Sequence, residues 1–190
     1  KPQKSNQFNI HAGKPLFEIQ PTMWGIFFED INYAADGGLY AELVKNRSFE
    51  FSLPMMGWSQ LRQEGDGRIM PTFYSPANTA NPRFIQLVVD APSGSFGIVN
   101  EGFRGMGIRK DETYNFSVYA RVNANASLKM KLELVTSEGT VIGNSEISGF
   151  TTDWKKYQVS FQVTQTELKA QFRVLMTGKG TIDIDMVSLF

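Results

Sequence analysis

Apolar and polar residues alternate along much of the second half of the chain. The period of two recurs in four stretches: TYNFSVYARV (113–122), SLKMKLELV (127–135), WKKYQVSFQV (154–163) and LKAQFRVLM (168–176). On one face they place Tyr114, Phe116, Val118, Ala120 and Val122; Leu128, Met130, Leu132 and Leu134; Tyr157, Val159, Phe161 and Val163; and Leu168, Ala170, Phe172, Val174 and Met176. This alternation predicts antiparallel strands with one buried and one solvated face. The polar turns between the strands favour a jelly-roll β-sandwich.

The final stretch, GTIDIDMVSLF (180–190), departs from this alternation. Ile182, Ile184 and Met186 share one face, opposite Asp183 and Asp185, but Val187 and Leu189 then continue the acidic face. Two carboxylates on a partly apolar face predict one of three things: burial with a partner, a bulge, or a bound cation.

The opening stretch, WGIFFEDINYAADGGLYAELVKNRSFEF (24–51), differs from the rest of the chain. Strands are expected at 15–20 and 23–28, and the second runs directly into Glu29 and Asp30. From Asp36 the spacing of Leu39, Tyr40, Leu43 and Val44 predicts a short helix with one apolar face, closed by 46–48. One strand–acid–helix unit thus precedes a mainly β chain.

Composition narrows the classes of function. The 190 residues hold 42% hydrophobic and 20% charged residues, which is ordinary for a globular protein, and 19 basic residues balance 19 acidic ones. That balance argues against nucleic acid as a partner. The chain has no cysteine and a single histidine, so thiolate and histidine-cluster metal sites are excluded. No apolar run is long enough for a membrane-spanning helix, whereas the 24 aromatic residues (15 Phe, 6 Tyr and 3 Trp) suit β-sheets and sugar ligands.

The segment GIFFEDINYAADGGLYAELVKNRSFE resembles the N-terminal signature of family 51 glycoside hydrolases, the α-L-arabinofuranosidases. In that family it forms the first strand and helix of a catalytic (β/α)8 barrel. The rest, from NRSFEF through YNFSVYARV and DWKKYQVSF to GTIDIDMVSLF, resembles family 4/9 carbohydrate-binding modules, which have a galactose-binding-like jelly roll. The resemblance implies a polar leader at 1–15, a β/α barrel unit at 16–45 and a β-sandwich at 46–190. It also implies that the remaining barrel belongs to a longer enzyme.

The resemblance implies which chemistry the chain holds. A retaining glycosidase needs two carboxyl groups about 5–5.5 Å apart, and the family takes both from later barrel strands, so no catalytic residue is expected in this fragment. Glu29 matches the glutamate of the family's Phe-x-Glu segment, which hydrogen-bonds the arabinofuranose at the end of a barrel strand. The sequence pattern alone, without the resemblance, favours the alternative that Glu29 is a solvated residue at a strand end.

Four aromatic or cationic residues are candidates for a sugar-binding face on the sandwich. Trp58, Tyr74, Phe103 and Arg104 stand in loop-like stretches, where rings can pack on sugar C–H groups and a guanidinium can bind hydroxyls. The alternative for Trp58, and more strongly for Trp154, is a packing role in the core, where the resembled modules often keep a tryptophan. A module that serves only as a structural spacer is also consistent with the pattern.

No cofactor is expected for catalysis, but the resemblance implies a structural calcium ion. Modules of this type often use a glutamate of the opening segment and an aspartate of the closing strand, here Glu50 and Asp185, with Asp183 as a further candidate. Calcium takes six to eight oxygen ligands, which carboxylates and backbone carbonyls can supply. The alternative is that these acids are simply solvated.

The sequence therefore predicts the N-terminal fragment of a secreted or periplasmic bacterial α-L-arabinofuranosidase. Its expected partners are arabinose-containing plant polysaccharides and the remaining barrel of the parent enzyme, with no nucleic acid and no membrane insertion. The alternative is a structural β-sandwich domain without catalysis or sugar affinity.

Overall fold

Nine β-strands make up the part of the chain that the computed structural model describes, which comprises 39–74 and 81–190 together with Gly13, Glu18, Gly25, Glu29 and Ala35. No helix occurs among these residues, so none of them belongs to a helix that could span a membrane. The strands are β1 (Trp58–Gln63), β2 (Asp66–Phe73), β3 (Arg83–Asn100), β4 (Met106–Ile108), β5 (Thr113–Val122), β6 (Ser127–Val135), β7 (Val141–Ile147), β8 (Lys155–Gln162) and β9 (Glu167–Leu189).

Two long strands, β3 and β9, connect two antiparallel layers. The first half of β3 pairs with β2 and with the second half of β9, which in turn pairs with β5, and β5 pairs with β8. The second half of β3 pairs with β1 and with the first half of β9, which pairs with β6, and β6 pairs with β7. The layer orders are therefore β2-β3-β9-β5-β8 and β1-β3-β9-β6-β7. This is the β-sandwich that the sequence predicts.

Both shared strands bend where they pass from one layer to the other. The pairing of β3 with β9 shifts register between Ala91 and Phe96, and Gly94 lies there with φ +79°. On β9 the bend includes Gly178 at φ +103°, where a Cβ would collide with the carbonyl oxygen of Ser127. Only glycine takes such a backbone without strain, so this residue allows β9 to serve both layers.

The predicted alternation builds the core between the layers. Residues of β5, β6 and β9 with the expected parity are buried in one cluster: Tyr114, Phe116, Val118, Ala120, Leu128, Met130, Leu132, Leu134, Ala170, Phe172, Val174 and Met176. Leu168 was expected on this face, but its side chain is 78% exposed. It stands where β9 carries an extra residue opposite β4, between the pairs Met106–Ala170 and Ile108–Glu167, and the alternation is interrupted there.

A bulge explains the irregular pattern of the closing strand. Against β5, Tyr119 pairs with Asp185 and Ser117 with Ser188, so β9 has one extra residue between these pairs. Met186 takes a left-handed conformation there, with φ 50°. The inward parity therefore changes from Ile182 and Ile184 to Val187 and Leu189, all of which are fully buried.

The segment before β1 packs on the end of β9 as turns. The predicted helix is wrong for its described part: 39–48 contain no helix, and Leu39 is 78% exposed while Val44 is buried. Leu43 N donates to Leu189 O at 3.0 Å, and Val187 N donates to Arg47 O at 2.9 Å. These bonds to β9 replace the hydrogen bonds of a helix.

A buried carboxylate, Glu42, completes this attachment. Its Oε1 accepts hydrogen bonds from Val44 N (3.0 Å) and Leu189 N (2.8 Å), and its Oε2 accepts one from Ser188 Oγ (2.7 Å). Arg47 Nη1 lies 3.7 Å from Oε2. Burial raises the pKa of the Glu42 carboxyl, although these partners act in the opposite direction.

The chain divides into two compact units, Lys1–Ile31 and Asn32–Phe190. The sandwich and its preceding turns belong to the second unit. Apart from Glu18 and Gly25, the strands predicted at 15–20 and 23–28 lie outside the described residues, as does the helix start at 36–38.

Candidate functional site

A row of polar side chains crosses the outer face of the first layer. The register aligns Met70 with Gln86 on β2 and β3, Gln86 with Asp183 on β3 and β9, and Asp183 with Arg121 on β9 and β5. Since successive strand residues point to opposite faces and the neighbours Ile85, Ile184 and Ala120 are in the core, this row points outward.

Asp183 is the centre of the row. Its Oδ2 lies 2.8 Å from Arg121 Nε, and its Oδ1 accepts a hydrogen bond from Gln86 Nε2 at 2.8 Å. The Asp183 side chain is only 9% exposed, whereas that of Arg121 is 39% exposed. The carboxylate therefore fixes the other two side chains and leaves the outer edge of the guanidinium open to a ligand.

An aromatic cluster of Tyr74, Phe84 and Trp154 borders the row. The Tyr74 ring lies 4.9 Å from Phe84 and 5.3 Å from Trp154, and Phe84 and Trp154 meet edge to face at 5.4 Å. The guanidinium carbon of Arg121 lies 4.9 Å from the Trp154 ring centroid, within the range of a cation–π contact. Arg121 is thus held by an anion on one side and an indole on the other.

An open groove of about 400 Å³ runs along the row. Gln86, Arg121 and Asp183 line it together with Val122, Asn123, Ala124, Thr152 and Thr181. Amide, guanidinium, carboxylate and hydroxyl groups beside an aromatic cluster match the needs of a sugar, whose hydroxyls require donors and acceptors and whose C–H faces pack on rings. The volume lies within the range of small-molecule sites.

Asp185 holds the Tyr74 ring of the aromatic cluster in place through a hydrogen bond from the Tyr74 hydroxyl. It is 2% exposed, and its Oδ2 accepts hydrogen bonds from Tyr74 Oη (2.8 Å) and Asn81 Nδ2 (2.9 Å), while Met186 N donates to Oδ1. Burial raises the pKa of Asp185 to about 6. Burial and then the bond to Asp185 raise the pKa of the Tyr74 phenol. Because both carboxylates are engaged by protein groups, Asp183 and Asp185 are not an acid/base pair open to a substrate.

The structure separates the four predicted sugar-face residues. Trp58 is 6% exposed, packs on Phe49 at 5.6 Å and donates its indole N–H to Asn46 O, so it belongs to the core. Phe103 is half-buried and Arg104 exposed, both in the loop that follows the far end of β3. Only Tyr74 lies in the aromatic cluster. Of the two roles given for Trp58, the structure therefore confirms core packing, and Trp58 is not part of a sugar-binding face.

Trp154 differs from the expectation in the opposite direction, because it lies on the outer face and not in the core. Its predicted role was core packing, yet it is half-buried outside the core cluster and stacks on the outer face. It directly precedes β8, whose Lys155 pairs with Ala120, so its neighbour across β5 is Arg121. Gln86, Arg121 and Asp183 were not predicted for a sugar face either, because they lie on three strands that become neighbours only after long crossovers. The only feature of the sequence that pointed to this face was the pair of acids in the closing strand, Asp183 and Asp185.

The predicted calcium ligands do not share an open site. Within 39–74 and 81–190, no group of three or more acidic or histidine side chains is placed to hold a metal ion. Glu50 Oε1 accepts a hydrogen bond from Arg83 N at 2.6 Å, and the Arg83 guanidinium lies 3.8 Å from Glu50 Oε2. Asp183 is engaged by Arg121 and Asp185 by Tyr74 and Asn81. Each of these three carboxylates is thus bound by donor groups of the protein.

Glu29 is exposed, and its immediate sequence neighbours lie outside the described residues. The barrel half-site that the resemblance implies for Glu29 therefore stays a prediction.

Comparisons with known proteins point to arabinofuranosidases. No known family profile matches the chain. An extracellular exo-α-L-arabinofuranosidase of Streptomyces chartreusis is 34% identical over 90% of this chain and 20% of its own length. Alpha-L-arabinofuranosidase 1 of Arabidopsis thaliana is 31% identical over 93% of this chain and 27% of its own. The chain thus spans about a fifth to a quarter of these relatives.

The solved structures agree with the sequences. The arabinose-bound α-L-arabinofuranosidase MgGH51 superimposes with a TM-score of 0.72 at 30% identity, over 86% of this chain and 28% of that one. A family 4 carbohydrate-binding module superimposes with a TM-score of 0.52 over 77% of this chain and 97% of the module, and at 12% identity it shows the fold alone. The chain is therefore similar, over most of its length, to one part of the family 51 α-L-arabinofuranosidases, and that part includes a β-sandwich of the carbohydrate-binding-module type.

Proposed function

We propose that this chain is the N-terminal portion of a secreted α-L-arabinofuranosidase that removes terminal α-L-arabinofuranosyl groups from arabinan or arabinoxylan. The observation that carries the proposal is the 34% identity over 90% of the chain to an extracellular exo-α-L-arabinofuranosidase. Secretion follows from the same relative, whose name describes it as extracellular, and a bacterial source is part of the proposal.

The parent enzyme works with retention of configuration in this proposal. One carboxylate attacks the anomeric carbon and a protonated carboxyl donates to the leaving oxygen; water then hydrolyses the glycosyl-enzyme with the second group acting as base. Both groups belong to the part of the relatives that this chain does not cover. The chain alone is expected to release no arabinose.

Glu29 contributes to the parent's substrate site as a hydrogen-bond acceptor for arabinofuranose hydroxyls. A carboxylate can accept bonds from two hydroxyls at once. Replacing Glu29 by Ala in the parent enzyme should lower kcat/KM on an aryl α-L-arabinofuranoside by a factor of about 100 or more, as expected for about 3 kcal/mol of charged hydrogen bonding. Glu18→Ala, another exposed acid of the same region, is the matched control. Activity of Glu29→Ala equal to that of the control would remove Glu29 from the site.

The outer-face groove supplies the sugar-binding function of the sandwich. Arg121 is pre-positioned by Asp183 and Trp154, so little side-chain freedom is lost when a ligand binds. Gln86 and Asp183 offer further polar atoms along the groove floor. A chain of neutral sugars fits this groove better than an anionic ligand, because Asp183 neutralises the arginine.

Two arginine variants separate the possible surfaces. Titration of the chain with arabino-oligosaccharides, followed by tryptophan fluorescence, should show saturable binding that Arg121→Met weakens by about tenfold or more, the effect of one charged hydrogen bond. Arg104→Met, in the loop of the other candidate surface, should bind as the wild type does. A loss in Arg104→Met alone would move the site to the Phe103–Arg104 loop, and a flat titration of the wild type would favour a purely structural sandwich.

A further inference from the structure

We propose that the guanidinium of Arg83 is the structural cation of this sandwich, so that the fold requires no calcium. The guanidinium lies among oxygens of the turn before β1. Arg83 Nη1 donates to Phe51 O at 3.0 Å and to Glu50 O at 3.2 Å, and it lies 3.8 Å from the carboxylate oxygen Oε2 of Glu50.

The oxygen set around Arg83 is of the kind that binds a hard divalent cation, namely backbone carbonyls and a carboxylate on one turn. Here the singly charged guanidinium of Arg83 donates hydrogen bonds to these carbonyl oxygens in place of a metal ion. The same residue also binds Glu50 through its backbone, because Arg83 N donates to Oε1 at 2.6 Å. Its guanidinium carbon lies 5.8 Å from the Phe73 ring, which limits the positions the side chain can take.

The second acid, Asp185, is stabilised without a cation. The register pairs Ile85 of β3 with Ile184 of β9 and so brings Asp185 close to the start of β3, where Arg83 binds Glu50. Neutral donors nevertheless bind Asp185: the Tyr74 hydroxyl, the Asn81 amide and the Met186 backbone. A calcium ion between Glu50 and Asp185 would displace some of these bonds and would stand beside the permanent charge of Arg83.

The function of Arg83 is then to clamp the turn before β1 onto the start of β3. That turn carries Phe49, which is fully buried against Trp58. Because β3 begins at Arg83 and belongs to both layers, the clamp joins the turn to the centre of the sandwich.

Thermal unfolding of the chain tests this inference. The wild type is melted in buffer alone, with millimolar CaCl2 and with EDTA, and we expect the same Tm in all three. Arg83→Met should lower the Tm by about 4–8 °C, as expected for a partly buried charged group with several bonds in a domain of this size. Arg62→Met is the matched control, since Arg62 is 54% exposed and pairs with an exposed Asp66; its Tm should stay within about 2 °C of the wild type.

Two results would overturn the inference. One is a higher wild-type Tm with CaCl2, or a lower one with EDTA, which would demonstrate a calcium site. The other is an Arg83→Met variant as stable as Arg62→Met. If Arg83→Met does not fold, Arg83→Lys decides the second point. Lysine keeps the charge, but its side chain is one bond shorter than that of arginine, so its ammonium does not reach the position from which Nη1 donates to both carbonyls. Arg83→Lys should melt below the wild type, and an unchanged Tm would contradict the proposal.

Discussion

The buried carboxylate Glu42 should be among the most sensitive positions for stability. Glu42→Ala removes the acceptor of three hydrogen bonds and leaves the backbone N–H groups of Val44 and Leu189 without their partner in a buried site. It also releases the Ser188 hydroxyl and the Arg47 ion pair. The turn before β1 would then lose its side-chain attachment to the end of β9 and keep the backbone bonds of Leu43 and Arg47 to that strand.

The size of the effect follows from these contacts. A buried donor without an acceptor costs about 1–3 kcal/mol, so two backbone N–H groups give about 4 kcal/mol for Glu42→Ala. The Ser188 hydroxyl can rotate to another partner and adds little. At about 2–4 °C per kcal/mol for a domain of this size, the Tm should fall by about 8–16 °C.

Three variants make the measurement specific. Urea or thermal unfolding followed by circular dichroism compares Glu42→Ala, Glu42→Gln and Glu146→Ala. The glutamine keeps a carbonyl oxygen for the two N–H groups and should lose about 1–2 kcal/mol, chiefly the ion pair and one hydrogen bond. Glu146 pairs with Lys129 on an exposed surface and should change stability by less than about 0.5 kcal/mol. If Glu42→Ala were no less stable than Glu146→Ala, the turn would not depend on this carboxylate.

Three further predictions concern charge, backbone and surface. Since the pKa of Asp185 is raised from 3.8 to about 6, its contribution to stability is complete below about pH 3.8 and is lost as the pH rises through about 6. Relative to Asp185→Asn, the wild type should lose about 2.4 kcal/mol of unfolding free energy between pH 4 and 7 in urea unfolding, and a constant difference would contradict the assignment. Gly178→Ala should lower the free energy of unfolding by at least about 3 kcal/mol, because the new Cβ would collide with the Ser127 carbonyl oxygen. Gly149 also has a positive φ but lies in open space, so Gly149→Ala should lower it by about 1 kcal/mol; equal losses would show that the bend of β9 is not tight. Leu168→Ala should change stability by less than about 0.5 kcal/mol because the side chain is exposed, and a loss of 2 kcal/mol or more, as for a core leucine, would place it inside.

The sequence predicted the sandwich because alternation over five or more residues is set by burial on one face. It did not predict that β3 and β9 serve both layers. Their bends depend on positive-φ positions such as Gly94 and Gly178, which look like ordinary turn glycines in the sequence. The helix predicted from Asp36 is wrong for its described residues. Leu43 and Val44 fit the helical spacing, but Leu43 N donates to Leu189 O on β9 and Val44 N donates to the Glu42 carboxylate.

The candidate site was harder to predict than the fold. Tyr74 was predicted as a sugar-face residue, but Arg121 and Gln86 look in the sequence like the ordinary solvent-facing residues of alternating strands. Their meeting with Asp183 depends on the long-range register of β3, β9 and β5. Trp154 is expected in the core because the resembled modules often keep a tryptophan there. Its position directly before β8, beside Arg121, depends on the pairing of β8 with β5, which the sequence does not give.

The indole N–H signals in a nitrogen–proton NMR spectrum test the central claim most directly, namely that the outer face of the first layer binds carbohydrate. Trp154→Phe and Trp58→Phe assign the signals of these two residues among the three tryptophans of the chain, and an arabino-oligosaccharide is then added to the wild-type chain. The Trp154 signal should move and saturate while that of the buried Trp58 stays in place. An unmoved Trp154 signal at saturating sugar would contradict the claim.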